Sequence, residues 1–258
     1  MSLERKSLVV PNDLASLERK IYKMKTKHGY VISDLHIFAR WSSVDKYMES
    51  IRQAASDAEF FVFNGDIFDF KWSILASAEE TAKTAIEWFD KLCTDFPECR
   101  FYYILGNHDC HIKLLEHLEA LAEKQPNFYW HDAYLKIETL LIFHGDLVFN
   151  KNNGTLFKRN TFMQKNQKAT AFGKIYHFII KLGAHTLIKH IYTKEKYASH
   201  VTQAIKNAPR KHLDGIKDIY LGHTHVAFSG FEYKGITFHN TGSAVHDLHC
   251  NMLKVPLQ

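Results

Sequence analysis

Five short polar motifs, each directly after an apolar run, constrain this chain more than any other feature of its sequence. The runs are YVI, FFVF, FYYIL, LLIF and IYL, which have the length and composition of buried strands. The motifs are SDLH (33–36), NGDIFD (64–69), GNHD (106–109), HGD (144–146) and GHTH (222–225). Each contributes carboxylate, imidazole or amide groups where the apolar run stops. This repetition predicts a site assembled at one edge of a sheet.

Helical patterns alternate with the apolar runs in the first half of the chain. They fall at 45–58, 77–96 and 112–124. The alternation predicts an α/β protein in which helices cover a sheet. With 258 residues the chain can form one domain with an insertion. We expect a helical appendage at 1–28, the domain at 29–258, and a helical insertion at about 147–212.

The cysteine content and the hydropathy pattern favour a cytoplasmic protein. The four cysteines, Cys93, Cys99, Cys110 and Cys250, form no CxxC pair, and the N-terminus has no apolar signal-peptide core. Both features are typical of reduced, intracellular thiols. The sequence has no run of about 20 apolar residues, which argues against a transmembrane helix.

The net charge of +5 is distributed unevenly along the chain. Residues 151–211 contain 13 Lys or Arg and a single acid, Glu195, so the remainder of the chain is net negative. A separation of this size favours an anionic partner near the insertion. The alternative is a solvated basic face without a partner.

Residues 172–192, inside the insertion, have a helical pattern with one basic stripe. The stripe includes Lys174, Lys181 and Lys189, which fall within an arc of roughly 120°, and aliphatic residues occupy most of the remaining surface. This pattern is typical of a helix at an anionic membrane surface or on a lipid-binding groove. It also suits a helix that caps the domain. We expect the three lysines to contact the substrate.

Two pairs of residues in the motifs have the spacing of metal ligands. Asp34 and His36 are two residues apart, so on an extended chain their side chains leave the same face. His223 and His225 repeat this spacing in GHTH. Each pair can therefore ligate a divalent cation.

Three further residues complete a predicted site for two cations. Asp66 has two carboxylate oxygens and can bridge two ions, Asn107 offers an amide oxygen, and His144 offers an imidazole. The seven groups are too many for one tetrahedral zinc ion, but they suit two cations about 3.5–4 Å apart. Because no cysteine is among them, the candidates are Mn, Fe and Zn, and we expect Mn.

Two adjacent cations favour attack by hydroxide on phosphorus, because they activate bridging water and neutralise the phosphoryl oxygens. His108 directly follows Asn107 and is predicted to protonate the departing oxygen, oriented by the neighbouring carboxylate of Asp109. Asp69 is predicted to hold a ligand or a loop amide in place.

The motifs resemble those of the calcineurin-like metallophosphoesterase family, which are D-x-H, G-D-x-x-D, G-N-H-[DE], a later H, and G-H-x-H. The resemblance extends over roughly residues 29–243 and implies a four-layer α/β/β/α sandwich of mixed β-sheets flanked by helices. It also implies two cations bridged by Asp66, one held by Asp34, His36 and His225, and the other by Asn107, His144 and His223.

Within that family the chain is similar to the UDP-2,3-diacylglucosamine hydrolases in length, in the SDLH motif and in the basic helical insertion. Those enzymes cut a pyrophosphate in a nucleoside-diphosphate lipid. They usually carry Arg at the position of His108. The difference bears on the substrate, because Arg would clamp a phosphate whereas His can transfer a proton.

The sequence leaves three functions open. The first is hydrolysis of a phosphoester or pyrophosphate in a phosphorylated small molecule or lipid-linked substrate. The second is a nuclease whose basic segment follows a phosphate backbone, although aliphatic residues outnumber stacking aromatics there. The third is a non-catalytic metal-binding module of the same fold, which the complete ligand set and His108 disfavour.

Overall fold

The structure is a computed structural model that describes residues 28–149, 193–207, 214–246 and 248–256. The first half of the chain builds one sheet, sheet I, and the helices that cover it. Its elements are β1 (His28–Ile32), α1 (Asp45–Asp57), β2 (Phe60–Asn64), α2 (Ala78–Asp95), β3 (Arg100–Ile104), α3 (Ile112–Lys124) and β4 (Phe128–His131). Strands β1 to β4 are parallel neighbours in chain order.

The second half of the chain builds sheet II and returns one strand to sheet I. Its elements are β5 (Tyr134–Ile137), β6 (Leu140–Phe143), α4 (Asp146–Phe149), α5 (Lys194–Asn207), β7 (Asp218–Leu221), β8 (Phe228–Tyr233), β9 (Ile236–Asn240) and β10 (Leu253–Pro256). Sheet II has the order β5-β6-β7-β9-β8, and β10 joins sheet I antiparallel to β1. Both sheets are therefore mixed.

Three apolar cores separate four layers. Alternate side chains of β2 enter different cores, so that Phe61 and Phe63 pack beneath α1, α2 and α3, whereas Phe60 and Val62 pack between the two sheets. The third core lies between sheet II and α5 and includes Tyr197. The layers are thus helices, sheet I, sheet II and α5, which confirms the predicted α/β/β/α sandwich.

The predicted helices of the first half are present, with small changes at their ends. The Ser77 side chain caps α2 by accepting a hydrogen bond from the Glu80 N–H at 3.1 Å. Strands β8 and β9 form an antiparallel hairpin, in which Lys234 and Gly235 make the turn with positive φ. Strands β4 and β5 are not predicted by the sequence.

Some predicted segments lie outside the described residues, namely the appendage up to residue 27 and the basic helix at 172–192. Helix α5 is the main described part of the predicted insertion. All four cysteines are free and buried. In the described part of the chain no helix is long and apolar enough to cross a membrane.

Candidate metal centre

The five motifs meet at the edge where the parallel strands of both sheets end. Hydrogen bonds join their loops directly: the Asp34 N–H donates to Gly65 O, and the Gly222 N–H donates to His144 O, each at 3.0 Å. Gly222 also lies against the Asp34 carboxylate, where a Cβ would collide with it. The SDLH motif of sheet I is therefore packed against the GHTH motif of sheet II. The predicted convergence at one sheet edge is observed.

Left-handed backbone, rather than extended chain, aims the predicted ligands. The φ angles are 52° for Asp34, 48° for His36, 52° for Asp66, 67° for His223 and 58° for His225. The extended geometry predicted for the two pairs is therefore wrong, because β1 and β7 end before the motifs begin. Non-glycine residues in this region cost about 1–3 kcal/mol each, so the surrounding loops must hold them there.

One group of possible ligands consists of Asp34, His36 and His225, whose ligand atoms lie within 4.8 Å of one another. The Nε2 of His225 is 3.1 Å from Oδ1 of Asp34 and 3.4 Å from Nε2 of His36. Asp34 is fully buried. Buried groups of this kind, so close together, can bind a common cation.

A second group consists of Asp66, His144 and His223. The Nε2 of His144 lies 3.2 Å from Oδ2 of Asp66, and the same oxygen is 4.0 Å from Nε2 of His36. One oxygen of Asp66 is thus close to both groups of ligands. This is the position that the sequence predicts for a bridging carboxylate.

Asn107 provides a test of whether a cation fits this site. Its Oδ1 is buried and has no hydrogen-bond partner among the described residues. Buried polar atoms are nearly always satisfied, so such an oxygen is well explained as a ligand. Carboxylate, imidazole and amide groups together suit borderline divalent cations.

The electrostatics of the centre indicate a deficit of positive charge. Burial raises the pKa of Asp66, but His144 and His108 more than offset this and hold it well below its usual range. Burial lowers the pKa of His144, but the charges of Asp66 and Asp34 outweigh it and raise the value to about 10. Burial, followed by the charge on His144, lowers the pKa of His223 to about 4. A proton on His144 thus balances the carboxylates that a cation would otherwise neutralise.

Comparison with known families agrees with this geometry. The family model of the calcineurin-like phosphoesterases matches residues 30–227, which is most of the chain. The chain belongs to this family. Membership indicates a phosphoesterase, a hydrolase that depends on divalent metals. None of the curated proteins matches the chain.

The imidazole predicted to act in this phosphoesterase, His108, lies beside the ligands. Its backbone N–H donates to Oδ1 of Asp66 at 2.7 Å, and its Nδ1 is 3.2 Å from Oδ2 of Asp69. Burial lowers the pKa of His108, but the charges of Asp69 and Asp66 outweigh it and raise the value to about 9. His108 therefore lies beside the ligand groups, where Asp69 and Asp66 favour the protonated form of its imidazole.

Asp69 holds His36 as well as His108. Its Oδ2 is 3.0 Å from Nδ1 of His36, and its Oδ1 accepts a hydrogen bond from the Trp72 N–H at 2.7 Å. Asp69 is predicted to hold a ligand or a loop amide, and its contacts include both. Because Nδ1 of His36 faces Asp69, its Nε2 is left for the cation.

Asp109 does not have the position predicted for it. Its Oδ1 accepts a hydrogen bond from the Gly106 N–H at 2.6 Å, and its Oδ2 accepts one from the Ile67 N–H at 2.9 Å. Burial, and then the charge on Asp66, raises the pKa of Asp109 to about 7. Asp109 therefore ties two motif loops together, and the carboxylate that contacts His108 is Asp69.

Buried polar residues outside the predicted ligand set support the ligand loops. Ser243 Oγ donates to Asp34 O at 3.0 Å, and Asn240 Nδ2 donates to Gly222 O at 2.8 Å. Asn64 O lies 3.1 Å from Nδ1 of His144, which orients that ring. For two of them a sequence signal was present, because Asn240 ends β9 and Ser243 lies three residues later, at the same edge as the motifs. The predicted substrate contacts Lys174, Lys181 and Lys189 lie outside the described residues.

Proposed function

We propose that this phosphoesterase uses two divalent cations to hydrolyse a phosphoester or pyrophosphate bond. The observation that carries the proposal is the contact of one Asp66 oxygen with both groups of ligands. A carboxylate between two groups of ligands could hold two cations at the short separation that two-metal phosphoryl transfer uses.

The ligands divide between the cations according to the two groups. One cation would be held by Asp34, His36 and His225, the other by Asn107, His144 and His223, with Asp66 shared. Mn is our first candidate, with Fe or Zn as alternatives. When bound, the two cations supply a nucleophilic hydroxide at neutral pH and neutralise charge on the phosphoryl oxygens.

The protein itself contributes a proton donor, His108, and the contacts that orient its imidazole. His108 would donate a proton from Nε2 to the departing oxygen, since its Nδ1 lies against Asp69. The Asp66 contact with the backbone N–H of His108 keeps the imidazole close to the cations. The loops that follow β2 and β3 thus hold the proton donor beside the ligands.

For the substrate we propose a bulky anion, with a nucleoside-diphosphate lipid as first choice. Two features support it: the positive charge of residues 151–211 and the similarity to UDP-2,3-diacylglucosamine hydrolases. The protein would then act in the cytoplasm, at the surface of an anionic membrane. The alternative is a nucleic acid phosphodiester, which the same basic segment could bind.

A substrate screen with matched variants tests the proposal. Hydrolysis of an aryl phosphate monoester, an aryl phosphate diester, a nucleoside-diphosphate lipid and single-stranded DNA is compared with Mn, Fe and Zn. The variants are Asp66→Ala and His108→Ala, with the surface substitution His117→Ala as control. We expect fastest cleavage of the lipid. Asp66→Ala should lose activity on all substrates, His108→Ala should lose less activity where the leaving group is a good one, as in the aryl esters, and His117→Ala should keep the wild-type rates.

Two outcomes would contradict the proposal. Unchanged hydrolysis in Asp66→Ala would exclude the two-cation centre. A chain that binds cations but cleaves none of the four substrates would be a non-catalytic module. Preferential cleavage of DNA would favour the nuclease alternative over the lipid substrate.

A further inference from the structure

Tyr197, near the start of α5, contacts two of the five motifs with a single hydroxyl group. Its side chain is 1% exposed, and its hydroxyl donates to Gly222 O at 3.2 Å. The same hydroxyl occupies the space that a Cβ on Gly145 would fill, and Gly145 has a φ of 114°. The tyrosine therefore lies where the HGD and GHTH loops meet.

The two glycines are direct neighbours of ligands proposed for one cation. Gly145 follows His144, and Gly222 precedes His223. The Gly222 N–H donates to His144 O at 3.0 Å, and the two imidazole rings are 5.3 Å apart between centroids. The hydroxyl of Tyr197 thus lies behind the pocket formed by these histidines and contacts both loops that form it.

These loops need such support because their backbone is strained. His223 has a φ of 67°, and Gly145 has a conformation that side chains rarely adopt. Strained backbone persists only where surrounding contacts determine it. The second donor to Gly222 O is Asn240 Nδ2 at 2.8 Å, so loss of the tyrosine hydroxyl would not leave this carbonyl unsatisfied.

We propose that Tyr197 is a positioning residue for the cation pocket of His144 and His223. The inference rests on the proposed two-cation function and goes beyond it, because it assigns a part in the centre to α5, which no motif includes. Tyr197 restrains the separation of the two imidazoles through Gly145 and Gly222. Both hydroxyl contacts described above are with glycines next to these two histidines.

Titration of the metal-free protein with Mn²⁺ by calorimetry tests this role. Tyr197→Phe keeps the ring in the core and removes only the hydroxyl. Tyr129→Phe is the matched control, because it removes a tyrosine hydrogen bond, to Pro126 O at 3.0 Å, far along the chain from the motifs. His223→Ala identifies which of two binding steps belongs to this pocket.

We expect Tyr197→Phe to lower the Mn²⁺ affinity of that one binding step about 10-fold. This is the lower end of the effect of losing a residue that orients metal ligands. The other step and the melting temperature should stay near the wild-type values, and excess Mn²⁺ should restore kcat. Wild-type affinities at both steps, or equal losses at both, would overturn the inference. Failure of the wild-type protein to bind Mn²⁺ would instead remove the proposed function and the inference with it.

Discussion

His108 and Asp69 are joined by a 3.2 Å contact between Nδ1 of the imidazole and Oδ2 of the carboxylate. The same oxygen lies 3.0 Å from Nδ1 of His36. One carboxylate oxygen therefore orients both a proposed ligand and the proposed proton donor. In the proposed mechanism, Asp69 would couple the binding of one cation to the chemistry at the leaving group.

Replacement of Asp69 by Asn should lower kcat by roughly 10- to 100-fold, as the loss of a group that orients metal ligands does. The amide keeps the size of the side chain but removes the charge that stabilises protonated His108 and fixes the His36 ring. Steady-state kinetics with saturating Mn²⁺ would measure the effect. Asp57→Asn is the control, since Asp57 also contacts an imidazole, Nε2 of His28 at 2.9 Å, on the surface. Equal kinetics in both variants would contradict the role of Asp69.

The convergence of the motifs could be predicted from the sequence because each follows an apolar run. Parallel strands end at one sheet edge, so Asp34, Asp66 and Asn107, at the ends of β1, β2 and β3, had to be close together. His144 and His223 follow in the same way from the parallel strands of sheet II. The sequence pattern of apolar runs and the parallel topology of the sheets thus place these residues together. Their residue types then indicate a metal site.

The partner of His108 could not be predicted from the sequence. Asp109 is its neighbour in the chain, but the chain reverses locally and directs the Asp109 carboxylate to the Gly106 and Ile67 amides. Asp69 reaches His108 because the loop after β2 is bonded to the loop after β3, where the Phe70 N–H donates to His108 O at 3.0 Å. A contact between two loops depends on backbone dihedrals that residue spacing does not encode.

Removal of the His108 imidazole should affect substrates according to their leaving group. A proton donor is needed when the departing oxygen is strongly basic, as in an alkyl phosphate ester, and much less when it is a nitrophenolate. His108→Ala should therefore lower kcat/KM about 10²- to 10⁴-fold for alkyl esters. The nitrophenyl ester should lose far less, and His117→Ala should leave both rates unchanged. Equal losses for the two esters would show that His108 does not act as an acid.

His131 should make the fold sensitive to mild acid. Burial lowers the pKa of His131 to about 4, whereas in the unfolded chain the imidazole has its ordinary pKa of about 6.5. The unfolded state therefore binds a proton first, and stability falls as the pH decreases from about 6.5 towards 4. In denaturation curves, His131→Phe should reduce the loss between pH 7 and 5 by about 1 kcal/mol, allowing for partial exposure. The phenylalanine ring can still stack on Tyr102. Parallel pH profiles of stability for the wild type and His131→Phe would contradict the role of His131.

Cation binding should release protons from the metal-free protein at pH 8. Burial lowers the pKa of His144, but Asp66 and Asp34 raise it to about 10, so the imidazole is protonated at this pH. An imidazole must be deprotonated to ligate a cation, so we expect release of about one proton per chain from this residue. Calorimetric titrations with Mn²⁺ in buffers of different ionisation enthalpy measure that number. The release should diminish as the pH rises through 10, where His144 is already neutral. A heat of binding independent of the buffer at pH 8 would show that His144 is neutral in the metal-free protein or does not bind the cation.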